Sequence, residues 1–496
     1  MKSLVFRSES ASRPTLPGVL DTIFVIRASC FSSPPMYDTL IIGAGMSGLA
    51  AGIRLAHYEQ RVAILERHTT IGGLNGFYRL RGRDYDVGLH ALTNVTAKGT
   101  KRGPLARLLR QLRMSWEDLA IAPQVGSEVV FPGARIRFTN ELDLLRSEIA
   151  RTFPGERDNF ERLIESVVEY DDLGEEHAEI SARARLAEML GEPLLVEMLM
   201  CPLQFYGSAR EQDMDWGQFS IMFRSIFMEG LGRPHAGVRL ILKQLVRRFR
   251  ALGGELKLRA GVERLEVDGN RVAAVVLQDG QRLEAKRILS SAGWCETMRL
   301  CSDGEPVVIR GPGRLSFCET IATLDVEPRR LGHDRTITFF NDAERFDWRS
   351  PAEPCDVRSG VICSPNNFDY GRPLDEDGAG VVRITALASY DYWKGLEESA
   401  YRQEKLRWYD RITDSATRFI PDYRGRVVET DMFTPTTIVR FTGHDNGAVY
   451  GAPHKQLDGR THLDNLFVCG TDQGFVGIIG AITSGIAMAN QHCLRA

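Results

Sequence analysis

The 496-residue chain lacks the features that mark membrane-spanning, fibrous and nucleic-acid-binding proteins. It contains no apolar run of about 18 residues, the length that a membrane-spanning helix needs. Its 62 basic and 65 acidic residues leave a net charge of -3, so no overall positive field favours nucleic acid as a partner. Apolar residues make up 43% and charged residues 26% of the chain, which is typical of a globular protein and excludes a disordered or collagen-like chain.

Cysteine and histidine are few and scattered along the chain. The nine cysteines form no C-x-x-C pair, and the ten histidines form no zinc-ligand spacing with them. This distribution is typical of separate, mostly buried thiols in a reducing compartment. We therefore predict neither a disulfide framework nor a metal site.

Residues 1–35 differ in composition from the rest of the chain, with seven serines and four prolines. Their apolar run at residues 23–26 is shorter than the core of about 7–15 residues in a signal peptide. Two interpretations remain: a transit peptide, or a disordered leader that results from a mis-assigned start when translation begins at Met36. We favour the start at Met36, which predicts a cytoplasmic protein that can associate peripherally with a membrane; a transit peptide would predict an organelle.

A glycine-rich turn near residue 43 joins a predicted strand to a predicted helix. Residues 39–42 are an apolar, β-rich run that leads into Gly43, Gly45 and Gly48, and small apolar residues at helical spacing follow. In a dinucleotide-binding turn the first glycine makes the bend, the second lets the backbone approach a pyrophosphate, and the third lets the helix pack on the strand. The N–H groups at the helix N-terminus then favour the anion.

A second predicted strand, residues 61–65, ends at Glu66. Glu66 follows Gly43 by 23 residues, and a carboxylate that binds a ribose hydroxyl is expected about 20 residues after the turn. A glycine turn alone is a weak signal, but strand, turn, helix, strand and acid together predict a dinucleotide-binding β-α-β unit. These residues alone do not distinguish FAD from NAD.

A comparable strand-to-helix turn lies far along the chain. Residues 465–468 form a predicted buried strand that is followed by Gly470 and Asp472, and small residues from 474 to 485 predict a packed helix. Taken alone, this turn also fits a glycine-rich loop before a packed helix. Two such turns far apart in sequence indicate one cofactor site that is built from both.

Between these turns, residues 240–252 predict an amphipathic helix that ends at a glycine pair, and a strand meander follows to residue 293. The patterns predict a nucleotide-binding domain that is assembled from residues 36–110, 236–300 and 460–496. We expect a helical lobe over residues 111–235 and a substrate domain with an antiparallel sheet over residues 301–459.

Four segments resemble the phytoene desaturase, carotenoid isomerase and retinol saturase branch of the FAD-dependent amine oxidase superfamily. They are the Gly-Gly pair at residues 72–73, the D-x-G-x-H motif at residues 86–90, the Thr-Pro pair at residues 434–435 and the Gly-x-x-Tyr-Gly motif at residues 447–451. The resemblance implies an α/β fold, with a discontinuous Rossmann-type FAD-binding domain and an α+β substrate-binding lobe. It also implies that FAD is the cofactor.

Combined with the resemblance, the motifs predict a set of cofactor-binding residues. They are Gly43, Ala44, Gly45, Met46, Ser47, Gly48, Glu66, Arg67, Gly72, Gly73, Leu74, Val262, Gly470, Thr471, Asp472 and Gly480.

The resemblance implies hydride exchange between flavin N5 and a lipophilic alkene or polyene, such as a carotenoid or retinoid, by a desaturase, saturase or isomerase. His90 is the candidate base, because the motif implies a position beside the flavin, and a structural histidine that binds the loop is the alternative. Two other functions remain open: an amine oxidase-like flavoenzyme, and a non-redox chaperone of the same fold that binds a prenyl or other lipid group.

Residues 193–203 and 219–228 are rich in Met, Phe and Leu. They fit either an oily surface for substrate entry and membrane docking or the core of the helical lobe.

Overall fold

The computed structural model describes residues 36–88, 90–170, 179–304, 311–371 and 379–494, so the leader predicted for residues 1–35 lies outside the described residues. The strands are β1 (Tyr37–Ile42), β2 (Val62–Glu66), β3 (Phe77–Leu80), β4 (Arg83–Asp86), β5 (Ile121–Pro123), β6 (Ser127–Phe131), β7 (Ala134–Phe138), β8 (Gly232–Pro234), β9 (Glu255–Leu258), β10 (Val262–Asp268), β11 (Arg271–Leu277), β12 (Arg282–Leu283), β13 (Ala285–Ser290), β14 (Ser316–Leu324), β15 (Ile337–Asn341), β16 (Ser359–Cys363), β17 (Gly380–Ala388), β18 (Val427–Phe433) and β19 (Leu466–Val468).

The helices follow the same chain order. They are α1 (Met46–Ala56), α2 (Pro104–Leu112), α3 (Trp116–Leu119), α4 (Leu142–Thr152), α5 (Arg157–Glu169), α6 (Ala182–Met189), α7 (Pro193–Gly207), α8 (Trp216–Phe223), α9 (Val238–Ala251), α10 (Trp294–Leu300), α11 (Tyr390–Lys394), α12 (Glu398–Ala416), α13 (Pro435–Thr442) and α14 (Gly477–Met488).

A parallel five-stranded sheet in the order β19-β13-β1-β2-β9 forms the first half of the molecule. Both faces of this sheet are buried. Ile41 and Ile64 belong to the core shared with α1, α9 and α14, whereas Leu40 and Leu65 belong to the core shared with the β10–β12 meander. Burial on both faces explains why these strands are continuous apolar runs, and the predicted α/β, Rossmann-type fold is confirmed.

A seven-stranded sheet in the order β18-β14-β17-β16-β15-β6-β7 forms the second half. All of its pairs are antiparallel except β15 with β6. Residues alternate between its two faces. On β14, Cys318 and Ala322 pack with Trp408 of α12 in one core, while Phe317 and Glu319 on the other face line a cavity.

The prediction that residues 111–235 are helical is wrong for residues 121–138, which hold β5, β6 and β7. Strands β6 and β7 form a hairpin around Gly133, where φ is +73°. Alternating apolar residues on both sides of a Pro-Gly turn are a strand signal, and the helical pattern of the flanking segments obscured it. Helices α4–α8 fill most of the rest of the predicted lobe.

The Met-, Phe- and Leu-rich segments lie in the core of the helical lobe and not on an oily surface. Met198, Leu199, Phe219, Phe223 and Phe227 are each 0% exposed. Of the two interpretations that the sequence left open, burial supports the core of the helical lobe and contradicts the docking surface. No helix in the described parts of the chain is both long and apolar enough to cross a membrane, and no two of the eight described cysteines form a disulfide.

Candidate cofactor and substrate site

A cavity of about 640 Å³ is lined by residues from both large sheets. On one side lie Gly43 and Glu66, at the carboxyl ends of β1 and β2. On the other side lie Phe317, Val361 and Thr385 of β14, β16 and β17. The carboxyl edge of a parallel sheet is where doubly wound folds bind their ligands.

The turn between β1 and α1 has the shape of a pyrophosphate cradle. Gly43 has φ +95°, and a Cβ on it would lie 2.6 Å from the Ser291 hydroxyl oxygen; a Cβ on Gly48 would overlap the Gly43 carbonyl. At Gly45, by contrast, a Cβ would meet nothing within 4 Å. Gly45 is also the N-cap of α1 and provides no side-chain cap, so the helix N-terminus is left to bind an anion.

The carboxylate of Glu66 is anchored beside this turn. Its Oε2 accepts a hydrogen bond from the N–H of Ala44 at 3.0 Å, and its Oε1 accepts one from the N–H of His68 at 2.9 Å. The guanidinium of Arg67 donates to the carbonyl oxygens of Val439 and Arg440, at 3.3 and 3.0 Å. Glu66 is therefore held at the cavity wall, while Arg67 joins the cavity to α13 of the other half.

The Gly-Gly pair extends the same wall. Gly72 has φ +117°, and its N–H donates to the Ala44 carbonyl at 3.0 Å. A Cβ on Gly88 would overlap the carbonyl oxygen of Leu74. The backbone of the predicted substrate-side motif thus packs directly against the predicted cofactor segment.

The turn after β19 contributes a second helix N-terminus. Gly470 has φ +94°, and its N–H donates to the Ser484 hydroxyl at 2.8 Å. Helix α14 begins at Gly477 without a side-chain cap, and Gly477 and Ile478 line the cavity. At this N-terminus, free N–H groups and the positive end of the helix dipole face the cavity, where they would stabilise an electron-rich ring of a bound cofactor.

Most of the predicted cofactor residues line the cavity. They are Gly43, Gly45, Met46, Ser47, Glu66, Arg67, Gly72, Gly73, Leu74, Val262, Gly470 and Thr471.

Four predicted cofactor residues lie behind the lining. Ala44 is buried and binds Glu66, Gly48 packs α1 on the turn, and a Cβ on Gly480 would lie 3.0 Å from the Phe475 backbone. Asp472 is 3% exposed, and its carboxylate accepts hydrogen bonds from the N–H groups of Trp294 and Ala452, both at 2.6 Å. Asp472 therefore joins two loops and does not line the cavity, and its predicted role in cofactor binding stays a prediction.

A histidine–carboxylate pair lies at the end of the cavity lined by Val262 and Arg67. His444 Nδ1 lies 3.6 Å from Glu296 Oε1, and both residues line the cavity. Burial alone would lower the pKa of His444, but the carboxylate of Glu296 raises it above its usual value. The pKa of Glu296 is lowered, because His444 outweighs the opposing effect of burial.

His90 lies in the half of the cavity formed by the seven-stranded sheet. Its Nε2 is 3.0 Å from the Thr385 hydroxyl and 3.7 Å from Glu319 Oε2. Burial lowers the pKa of His90, and the neighbouring Glu319 only partly offsets that effect. His90 is therefore a neutral imidazole near pH 7, as a proton acceptor must be.

Glu319 forms a buried ion pair with Arg383, and the two residues are 3% and 2% exposed. Burial alone would raise the pKa of Glu319, but the charge of Arg383 and the proximity of His90 lower it below the usual value. The carboxylate is therefore ionised, and its charge is balanced by the guanidinium.

Two arginines hold the loop that carries His90. Arg383 donates to the carbonyl oxygen of Asp86 at 3.1 Å, and Arg233 donates to the carbonyl oxygen of His90 at 3.3 Å. Arg233 also forms an ion pair with the Asp86 carboxylate at 2.7 Å. Both ends of the D-x-G-x-H motif are thus fixed against the sheet.

Sequence reasoning missed Glu319, Thr385, Arg383 and Arg233 as site residues. The sequence does carry a signal for Glu319 and Arg383. Glu319 is the one charged residue in β14, and Arg383 is the one charged residue in β17. A charge inside a long apolar strand requires a buried partner. The partner itself cannot be read from a single sequence.

Three side chains that could bind a metal lie close together. They are those of Cys301, Asp303 and His462, and their potential ligand atoms lie within 4.8 Å of one another. His462 Nε2 lies 2.7 Å from Asp303 Oδ2, so those two side chains already pair with each other. This cluster lies apart from the cavity.

The model of the flavin containing amine oxidoreductase family matches residues 46–491 of the chain. The chain belongs to this family. Members of this family contain a flavin. The glycine turn between β1 and α1, with Glu66 beside it, fits FAD as that flavin. The protein is an FAD-dependent oxidoreductase.

Curated relatives match along most of their length. The chloroplastic prolycopene isomerase of Arabidopsis thaliana is 23% identical, over 92% of this chain and 82% of the relative. The all-trans-retinol 13,14-reductase of Danio rerio is 22% identical, over 92% and 87%. The lycopene-forming phytoene desaturase of a Paracoccus species is 24% identical, over 84% and 88%.

Solved structures of low sequence identity share the fold. An oxidoreductase from Methanosarcina mazei has a TM-score of 0.64 at 17% identity, over 91% of this chain and 99% of that chain. Putrescine oxidase bound to putrescine has a TM-score of 0.62 at 16% identity, over 93% and 100%. The similarity of the curated relatives, and not the shared fold, therefore bears on the substrate.

Proposed function

We propose that this oxidoreductase is a desaturase, saturase or isomerase of a lipophilic alkene or polyene, with a carotenoid or retinoid as the model substrate. The observation that carries the proposal is the wall of the cavity opposite the cofactor cradle, which is mostly apolar; its polar groups are the cluster at His90 and a second group formed by Tyr78, Lys405 and Asp431. Its apolar and aromatic lining residues are Val87, Ala91, Phe205, Tyr206, Phe317, Val361, Val449 and Tyr450.

An apolar wall suits a neutral hydrocarbon, because such a substrate gains from leaving water and leaves no polar group unpaired. FAD, when bound, supplies a two-electron acceptor or donor. The chain itself must hold one carbon of the substrate beside the cofactor, exclude water and handle a proton. The relatives named for prolycopene, retinol and phytoene support a substrate of this class.

His90 is the residue we assign to the proton. It is the one neutral, titratable imidazole on the wall formed by Phe317, Val361 and Thr385, among the described residues. For desaturation it would remove a proton from the carbon next to the one that is oxidised, and for saturation it would return one. A purely structural role would leave the rate of hydrogen transfer unchanged when His90 is replaced.

The cavity offers less to the two alternative functions. An amine substrate is cationic near pH 7 and favours a negative charge at its site, but Arg383 pairs with Glu319 and Lys405 pairs with Asp431. A lipid-binding chaperone has no need for the glycine cradle at Gly43, Gly45 and Gly48. The match to the oxidoreductase family also argues against a chaperone.

Peripheral membrane association, in the cytoplasm or an organelle, rests on the chemistry of the proposed substrate alone, because α7 and α8 bury their apolar side chains. Co-sedimentation of the holoenzyme with vesicles of neutral and anionic phospholipids tests it. Protein that stays in the supernatant at both compositions would refute the association without affecting the proposed chemistry.

The proposed function is tested with the purified protein under anaerobic conditions. A yellow, flavin-containing preparation is mixed with polyenes, retinoids and amines, and the visible flavin spectrum is followed. Bleaching by a polyene indicates desaturation, reoxidation of chemically reduced protein by a polyene indicates saturation, and geometric isomers without net bleaching indicate isomerisation. Bleaching by amines alone would refute the proposed substrate class.

A further inference from the structure

A buried cluster of charged and polar side chains surrounds His90 and is larger than a single base requires. It draws its members from elements that are distant in sequence. Facing the histidine or its loop are Glu319 of β14, Arg383 and Thr385 of β17, Arg233 of β8, Asp86 of β4, the Cys363 thiol of β16 and the Tyr206 phenol of α7.

The charges in this cluster are balanced. Arg383 pairs with Glu319, and Arg233 pairs with Asp86. Burial raises the pKa of Cys363 to about 11 and raises that of Tyr206 well above its usual value, so both groups are neutral near pH 7. The neutral imidazole of His90 is therefore the group in the cluster that can change its charge near neutral pH.

The groups around Nε2 favour one of the two neutral tautomers of His90. Nε2 faces the Thr385 hydroxyl at 3.0 Å and the Glu319 carboxylate at 3.7 Å. An ionised carboxylate only accepts hydrogen bonds, and it would repel a lone pair on Nε2. Because the Thr385 hydroxyl can donate or accept, the carboxylate favours the tautomer in which Nε2 carries the proton and Nδ1 carries the lone pair. Among the described residues, none forms a hydrogen bond with Nδ1.

We propose that Glu319 is a positioning residue that fixes His90 as the Nε2-protonated tautomer, so that Nδ1 is the proton acceptor presented to the substrate. The inference rests on the proposed function only in naming the source of the proton. When Nδ1 takes a proton, the C–H bond to that proton breaks, its electron pair stays with the substrate, and the new imidazolium charge lies beside Glu319. Arg383 keeps Glu319 ionised and in place.

The tautomer is tested directly by nitrogen NMR of the FAD-bound protein labelled with ¹⁵N-histidine, because the shifts of the two ring nitrogens differ between tautomers. The His90 signals are assigned by their loss in His90→Gln. In the wild-type protein we expect a pyridine-like Nδ1 and a pyrrole-like Nε2. In Glu319→Gln, whose amide can donate or accept, we expect a mixture of both tautomers.

A matched control lies in the same cavity. Glu296→Gln removes the carboxylate that faces His444 and should change the His444 signals while the His90 signals stay as in the wild type. A pyrrole-like Nδ1 of His90 in the wild-type protein, or a His90 tautomer that does not respond to Glu319→Gln, would overturn the proposal. This measurement needs no substrate, so it stands apart from the test of the proposed function.

The pH dependence of flavin reduction by the active polyene provides a second readout. A base is lost when the pH falls through its pKa, and Glu319 is the neighbour that raises the pKa of His90, whereas Arg383 and Arg233 lower it. In Glu319→Gln the acid limb of the kcat/KM profile should therefore move to lower pH. The plateau rate should fall in proportion to the fraction of His90 that holds the wrong tautomer, by about twofold for an equal mixture.

Two further variants guard against a simple loss of folding, because Glu319→Gln leaves a buried guanidinium unpaired. The double variant Glu319→Gln/Arg383→Gln removes both charges and should show the same tautomer mixture, with a smaller acid-limb shift because the loss of Arg383 offsets part of the effect of losing Glu319. Glu319→Asp keeps the carboxylate and should restore most of the wild-type profile. Glu148→Gln breaks the ion pairs of another buried carboxylate with the half-exposed Arg137 and Arg151, away from the cavity, and should leave the profile unchanged. An acid limb that does not move in Glu319→Gln, or wild-type His90 signals in the double variant, would overturn the proposal.

Discussion

The two walls of the cavity are built by opposite means. The cofactor wall consists of short segments in which the decisive feature is the absence of a side chain, as at Gly43, Gly45 and Gly48. The substrate wall is the face of an antiparallel sheet on which Glu319, Thr385 and neighbouring apolar side chains are brought together. A backbone cradle suits a cofactor with one fixed shape, whereas a side-chain face can change its chemistry without changing the fold.

The largest expected effect comes from filling the cofactor wall with a side chain. Gly45 has the extended backbone that any residue adopts, φ -75° and ψ -177°, and a Cβ there meets only open space in the cavity. Gly45→Val should therefore fold normally but lose FAD affinity by about 100-fold or more, because the side chain takes the place of the pyrophosphate. Flavin content after purification and calorimetric FAD titration measure the effect.

The matched control for this variant is Gly425→Val, at an exposed glycine where a Cβ also meets nothing within 4 Å. It should bind FAD like the wild type. Full flavin content in Gly45→Val would show that the cradle of α1 does not hold the cofactor.

The next effect distinguishes the two walls, because replacing His90 should slow hydrogen transfer while FAD stays bound. His90→Ala should slow flavin reduction by the active polyene about 10²-fold, the contribution expected of a general base, while FAD content stays unchanged. Anaerobic stopped-flow absorbance measures the rate. His462→Ala, at a surface histidine paired with Asp303, is the control, and equal rates in both variants would leave His90 a structural residue of the loop.

A smaller effect concerns stability on the substrate wall. Arg383→Met leaves the Glu319 carboxylate buried without its partner, and such a change lowers the free energy of unfolding by about 3–5 kcal/mol. Arg402→Met, which breaks an exposed pair with Glu398 one helical turn away, should cost about 0.5 kcal/mol or less. Denaturant unfolding followed by tryptophan fluorescence compares the two, and equal losses would contradict the buried pair as a structural element.

The smallest effect is a pH dependence of stability at the end of the cavity lined by Val262 and Arg67. The pKa of His444 is raised in the folded protein, so its contribution is present at low pH and is lost as the pH rises through the raised value. The pKa of Glu296 is lowered, so its contribution is lost as the pH falls through the lowered value. The pair should stabilise the protein most between these limits, by about 1 kcal/mol.

Melting temperatures of the wild type and Glu296→Gln across pH 4 to 9 test this pair. The difference between the two proteins should be largest near the middle of that range and should shrink at both ends. A difference that is constant with pH would refute the coupling between Glu296 and His444.

The same contrast explains what the sequence could predict. The cofactor wall could be predicted because turn, helix and strand signals lie within one segment. Gly43, Glu66 and Gly470 each stand at a spacing that is typical of a dinucleotide-binding motif. The substrate wall was not, because Glu319 and Thr385 become neighbours only through the register of β14 with β17. Asp472 shows the limit of a motif, since its position near the cofactor was predicted but its two backbone hydrogen bonds were not.

The order of strands in the parallel sheet also constrains how the protein is made. Strand β1 pairs with β13, Tyr37 opposite Ala285, and β13 in turn pairs with β19. While the ribosome is still synthesising the substrate wall, β13 is not yet available and the edge of β1 that it will cover is unpaired. An unpaired strand edge promotes aggregation. The N-terminus of α14 reaches the cavity only after β1–β19 and α1–α13 have emerged. Binding of FAD therefore requires synthesis to pass α14, and a chain that stops before β19 should be both colourless and a target for chaperones.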